Sequence, residues 1–139
     1  MGAVQKEGSE MYQPKLEKDI RCPLEYGLAV FGGKWKPRII CVLAEKQTVR
    51  YSNLHREMTD IADPVLAAAL RELMADGIVQ RKQFEEIPPR VEYALTEKGR
   101  SVVPILQSIC RWSGAFYREV TDSTPAHCQK CYYTQAAHQ

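Results

Sequence analysis

The chain has 139 residues, 45% of them hydrophobic and 26% charged, with a formal net charge of +2. That length suits one compact domain, and the composition excludes a wholly disordered chain and a coiled-coil fibre. No run approaches the roughly 20 apolar residues of a membrane helix, and the polar N-terminus has no apolar stretch like that of a secretory signal, so a cytoplasmic protein with no membrane partner is expected.

Residues 1–19 are polar and weakly periodic and read as a flexible N-terminal arm. Pro23 suits a first helical position, and Leu24, Leu28, Val30 and Phe31 extend a short helix that Gly32-Gly33 stops. Lys34 to Glu45 carries Trp35, Ile39, Ile40, Val42 and Leu43 at helical spacing, with Pro37 near the start where its missing N–H is tolerated. Tyr51 to Met58 predicts a third helix with Ser52 as N-cap. Asp63-Pro64 then marks the start of a fourth, buried through Val65, Leu66, Leu70, Leu73 and Met74 and ended by Gly77. Two β-rich runs, 78–84 and 90–95, flank Glu85-Glu86-Ile87-Pro88-Pro89 as a hairpin with a proline-stiffened tip. Thr96-Glu97-Lys98-Gly99 opens a last long helix running through Leu106, Ile109 and Cys110 to Phe116 and Tyr117. Residues 20–120 thus form the folded domain, and 121–139 a polar tail holding Cys128 and Cys131.

Helices, a hairpin and a further helix, with a tight turn inside the helical group, make up the layout of a winged helix-turn-helix: mainly α with a small β-hairpin wing. In that design the helix after the turn lies in the DNA major groove, and paired subunits read half-sites about 34–36 Å apart. The apolar last helix is the natural dimer seam, which makes a homodimer the expected assembly.

Cys22-Pro23, Gly32-Gly33-Lys34-Trp35, Leu70-Arg71-Glu72-Leu73 with Asp76-Gly77, and Pro88-Pro89-Arg90-Val91-Glu92-Tyr93 running on through Leu95-Thr96-Glu97-Lys98-Gly99-Arg100 resemble the HxlR-type branch of the MarR-like transcriptional regulators. The resemblance runs from about Cys22 to Trp112. It implies a homodimeric regulator that binds double-stranded DNA, in several members sensing a small electrophile or oxidant through a thiol near the start of the first helix. One departure stands out. Where the family's recognition helix offers Ser, Lys, Thr and Gln, this chain has Ala62, Pro64, Ala67, Ala68 and Ala69.

Charge is unevenly distributed. Between Arg21 and Met58 seven cations face three anions, whereas between Thr59 and Gly77 one cation faces four anions. Hydrogen-bonded base readout by the fourth helix is therefore poorly supported, and affinity is expected from phosphate contacts by Lys34, Lys36, Arg38, Arg50, Arg56 and Arg71. Arg81, Lys82 and Arg90 on the wing would add backbone or minor-groove contacts. Modest sequence discrimination and a steep salt dependence follow. The alternative is a winged fold kept as a protein-interaction or metal-binding module with weakened DNA readout.

Five cysteines are an odd number for a disulfide framework. Cys22, beside Arg21 at a helix start, sits where the N-terminal dipole and a cation both favour the reactive thiolate, and it is the candidate redox sensor. Cys41 and Cys110 lie on apolar helix faces and read as packing residues. His127, Cys128 and Cys131 have the spacing of half a zinc site but supply three ligands at most, so zinc there would need a fourth from elsewhere; otherwise no cofactor is implied. His55 has no nucleophile or phosphate-binding loop beside it, and no enzyme is expected.

Overall fold

The computed structural model describes residues 20–117; the arm and the tail that holds His127, Cys128 and Cys131 lie outside them. In chain order the elements are α1 (Pro23–Phe31), α2 (Lys36–Lys46), β1 (Thr48–Arg50), α3 (Tyr51–Met58), α4 (Asp63–Ala75), β2 (Val79–Phe84), β3 (Arg90–Leu95), α5 (Glu97–Arg100) and α6 (Val103–Ser113). The three strands form one antiparallel sheet in the order β1-β3-β2. One face of each helix builds the core. Ile39, Ile40, Val42 and Leu43 of α2 are buried with Leu54 and Met58 of α3 and Leu66, Leu70 and Leu73 of α4. Val49, Val79, Tyr93 and Leu95 close it from the sheet, and Val102 and Leu106 from the final helices. Burying side chains of this size contributes roughly 1.5–3 kcal/mol each, which is what holds so small a trihelical group at fixed angles.

The mainly α architecture with a β wing is as expected, with five local differences. The wing sheet has a third strand, β1, whose Val49 is buried opposite Tyr93. Because β1 runs up to Arg50, that residue and not Ser52 is the N-cap of α3. Likewise Ala62 is the N-cap of α4, and Asp63 stands one position inside. Helix α2 begins at Lys36, leaving Lys34 and Trp35 in the preceding loop. Finally, the single long last helix is two helices: Ser101 and Val102 interrupt it, and Pro104, which has no N–H to donate, falls in the first turn of α6.

Two junctions hold the wing to the helices. At the end of α4 the Gly77 N–H donates to the Met74 carbonyl (3.1 Å) and the Ile78 N–H to that of Leu73 (2.9 Å), the paired bonds of a Schellman turn. Gly77 takes the required positive φ of 75°. At the start of α5 the Thr96 hydroxyl accepts from the Gly99 N–H (3.0 Å), and the Thr96 N–H donates to the Ile78 carbonyl (2.9 Å). Lys98 then donates to the Tyr26 hydroxyl on α1 (2.9 Å) and to the Asp76 carbonyl at the end of α4 (2.8 Å). The Thr-Glu-Lys-Gly segment thus ties α1, α4 and β2 together.

Candidate nucleic-acid interface

Helix α4 follows the turn 59–62 after α3 and occupies the place of a recognition helix. Its angle to α3 is set by the core and by a polar cluster at its first turn. The Tyr51 hydroxyl donates to the Asp63 carboxylate (3.1 Å), whose same oxygen lies 3.4 Å from His55 Nε2, and the rings of Tyr51 and His55 stack at 6.4 Å. Loss of hydration and the bond to Asp63 push the Tyr51 phenol above its ordinary value of 10.0, so it stays a donor. At the other end of α4, loss of hydration raises the Asp76 carboxyl above 3.8 against the opposing pull of Lys36 and Lys98. Neither Tyr51 nor Asp63 stood out in the sequence as a pair, because twelve residues separate them; His55 did, as an isolated histidine.

The expected phosphate contacts divide into two groups. Arg50, Arg71, Arg81 and Lys82 are exposed and have no ion-pair partner among the described residues. Arg56 is exposed as well, with Nη1 donating to Asn53 Oδ1 at 2.9 Å. Lys34 is exposed and Arg38 half-buried, and both lie over the Trp35 ring, at 4.7 and 5.3 Å. That stacking holds two cations together at the head of α2. Lys36 and Arg90 form the second group, in which the charge is matched inside the chain. Lys36 Nζ is 2.7 Å from Glu72 Oε1 with its side chain only 14% exposed. Arg90 pairs with Glu86 (2.9 Å) and Glu92 (3.4 Å) while its guanidinium lies 4.0 Å from the Phe84 ring centre. Both are braces, Lys36 between α2 and α4, Arg90 between the strands of the wing and its tip. The wing tip beyond them leaves Ile87 fully exposed.

Cys22 is the exposed N-cap of α1, in extended conformation, and its side chain makes no capping bond. Its neighbour Arg21 donates its backbone N–H to Glu25 in the first turn (2.9 Å). Cys41 is half-buried against the core, as expected of a packing residue, whereas Cys110 is exposed on α6. Cys110 shares that helix with an apolar stripe the core does not cover: Ile105, Ile109 and Trp112, followed by Phe116, with Trp112 69% and Phe116 75% exposed. Leu24 and Leu28 of α1 are exposed too. The α6 stripe was legible as surplus hydrophobicity, but that of α1 was not, since the same two leucines fit a core-facing helix equally well. Among the described residues no group of three or more His, Cys, Asp or Glu could hold a metal, and no helix is long and apolar enough to cross a membrane.

Residues 30–121 match the HxlR-like helix-turn-helix family. An HTH-type transcriptional regulator of Halalkalibacterium halodurans is 43% identical over 101 residues, which span 73% of this chain and 89% of that one. Among solved structures, the redox regulator HypR in its oxidised form is 39% identical, with a TM-score of 0.65 over 71% of this chain and 100% of that one. The reduced form of the transcriptional regulator YodB from B. subtilis is 32% identical, with a TM-score of 0.63 over 70% of this chain and 95% of that one.

Proposed function

This chain belongs to the HxlR-like helix-turn-helix family of transcriptional regulators, and from that premise we propose that it acts as a homodimer whose grip on DNA is set by the state of Cys22. Each α4 enters a major groove, the two wings flank it, and α1 and α6 join the protomers. The observation that carries the proposal is the pair of uncovered apolar helix faces, Leu24 and Leu28 on α1 and Ile105, Ile109 and Trp112 on α6. Exposed apolar surface of this extent is what a subunit contact would cover. Cys22 caps one of those helices and is open to solvent. Oxidation or alkylation there adds bulk at the seam and alters the separation of the two α4 helices, and a few ångströms spoil register with half-sites one helical turn apart. The solved relatives bearing the name of a redox regulator support the same control. The alternative of an interaction or metal-binding module is not favoured by family membership or by the unpaired cations Arg50, Arg71, Arg81 and Lys82.

Selection of genomic fragments by the purified protein, reduced and after diamide, tests the reading. The reduced protein should retain duplexes with an affinity that falls steeply with salt. Diamide should change that affinity for the parent and not for Cys22→Ser. Retention of no duplex at low salt would remove the DNA-binding part, and an equal diamide effect in both proteins would remove the thiol.

A further inference from the structure

The bases under α4 follow from what its outer face lacks. The helix is Asp-Pro-Val-Leu-Ala-Ala-Ala-Leu-Arg-Glu-Leu-Met-Ala, with three side chains able to make strong hydrogen bonds: Asp63, Arg71 and Glu72. Two are already engaged. Asp63 is held by Tyr51 and lies beside His55, and Glu72 is held by Lys36. With Leu66, Ala69, Leu70 and Leu73 buried, the helical period turns Pro64, Ala68, Arg71 and Ala75 to the far side, with Val65, expected in the core but 41% exposed, beside them. Between the first turn, where the 72% exposed Asp63 side chain is held by Tyr51, and Arg71, the outer face is apolar and its side chains are short.

We infer that α4 reads thymine through its C5-methyl group, with Val65 and Ala68 supplying the contact surface, so that the half-site under the first two turns of α4 is built from A·T pairs. This rests on the reading of α4 as the helix that enters the groove. The N-terminal part of such a helix faces the base edges. Along the major-groove edge the thymine methyl is the one apolar feature; guanine offers two acceptors and cytosine an amino donor. Set against Val65 and Pro64, adenine N7 and N6 and thymine O4 lose water much as guanine N7 and O6 and cytosine N4 do, so the preference for A·T rests on the methyl contact. The small size of Ala67 and Ala68 lets the backbone come close enough for a valine methyl to touch the groove floor. Arg71, one turn deeper and unpaired, is the single side chain left to reach a guanine or a phosphate. An alanine-rich recognition helix is on this view a reader of shape and methyl groups, with few bonds and therefore modest discrimination.

The test uses the full-length reduced protein. Duplexes are first selected from a random-sequence pool, and each thymine of the recovered half-site is then replaced by deoxyuridine, which deletes the methyl and leaves every hydrogen-bonding group in place. Loss of about three- to fivefold in affinity at one to three of these positions, of the order expected for one buried methyl, is the expected result. Val65→Ala, a helix-favouring change at an exposed site, should abolish the deoxyuridine effect at one of them. Duplexes that bind but tolerate deoxyuridine everywhere, or that carry G·C pairs under the first two turns of α4, would overturn the inference while leaving DNA binding intact. Deoxyuridine effects unaltered in both Val65→Ala and Ala68→Gly would overturn the assignment to α4. Recovery of no duplex at all would instead defeat the DNA-binding reading, and this inference with it.

Discussion

At Gly99 a single hydrogen atom decides how closely the wing meets the last helices. A Cβ there would run into the backbone carbonyl of Ile78 and press on its side chain. Ile78 cannot retreat, because its N–H closes the Schellman turn of α4 and its carbonyl accepts from Thr96. Gly99→Ala is therefore expected to destabilise the fold by about 1–3 kcal/mol, the usual cost of overpacking, and to lower the melting temperature by at least about 4 °C. A calorimetric scan checks it; an unchanged transition would mean that α5 can slide and that the contact is loose. The same scale shows where composition misleads. Lys36 and Arg90 look in the sequence like any other basic residues on a DNA-facing surface, and only their partners distinguish them. Glu72 lies 36 positions from Lys36 and is brought to it by the packing of α2 on α4. Charge counts along a chain cannot see which charges are already matched in space.

Among the elements, the helices declared themselves through proline and glycine: Pro23, Pro37 and Pro64 each stand in a first turn, and Gly77 follows the end of α4. Strand β1 was illegible for a physical reason. Three residues cannot show an alternating pattern, and Thr48 to Arg50 is a strand because β3 offers a free edge, a contact more than 40 residues away in sequence. Pro104 could have been read as the break between α5 and α6, but the apolar spacing across it is continuous. The wing then separates two kinds of cation. Arg81 and Lys82 project from β2 without ion-pair partners among the described residues, whereas Arg90 neutralises Glu86 and Glu92 and packs on Phe84. Arg81→Ala and Lys82→Ala should each flatten the salt dependence of DNA binding by about 0.9 in slope per lost phosphate contact, with stability changed by less than about 0.5 kcal/mol. Arg90→Ala should instead cost about 1 kcal/mol of stability and weaken binding by leaving two carboxylates unopposed beside the duplex. Affinity across a salt series, paired with denaturant unfolding, distinguishes them. If Arg90→Ala flattens the slope at unaltered stability, its role as a brace is wrong.

For the molecule as a whole, the question is what covers the hydrophobic surface left outside the core. Ile105, Ile109 and Trp112 recur at helical spacing on α6 with Phe116 just beyond it, and Leu24 and Leu28 do so on α1. Two copies can bury both stripes, and a dimer also multiplies binding: once one α4 is seated, the second meets its half-site at a high effective concentration, and the two affinities compound. A charge in the stripe attacks this arrangement without attacking the fold, because Ile109 is about half exposed within a single chain. Ile109→Glu would be paired with apolar surface across the seam and desolvated without a partner. In sedimentation the parent should run as a dimer at micromolar concentration and Ile109→Glu as a monomer with an unchanged helical circular-dichroism spectrum. The variant should then lose about 100-fold or more in affinity for a duplex with two half-sites, the gain that linkage provides, while binding a single half-site as the parent protomer does. A parent that sediments as a monomer, or a monomeric variant that still prefers two half-sites by the same factor, would separate the apolar faces from DNA binding and leave them without the partner assigned to them.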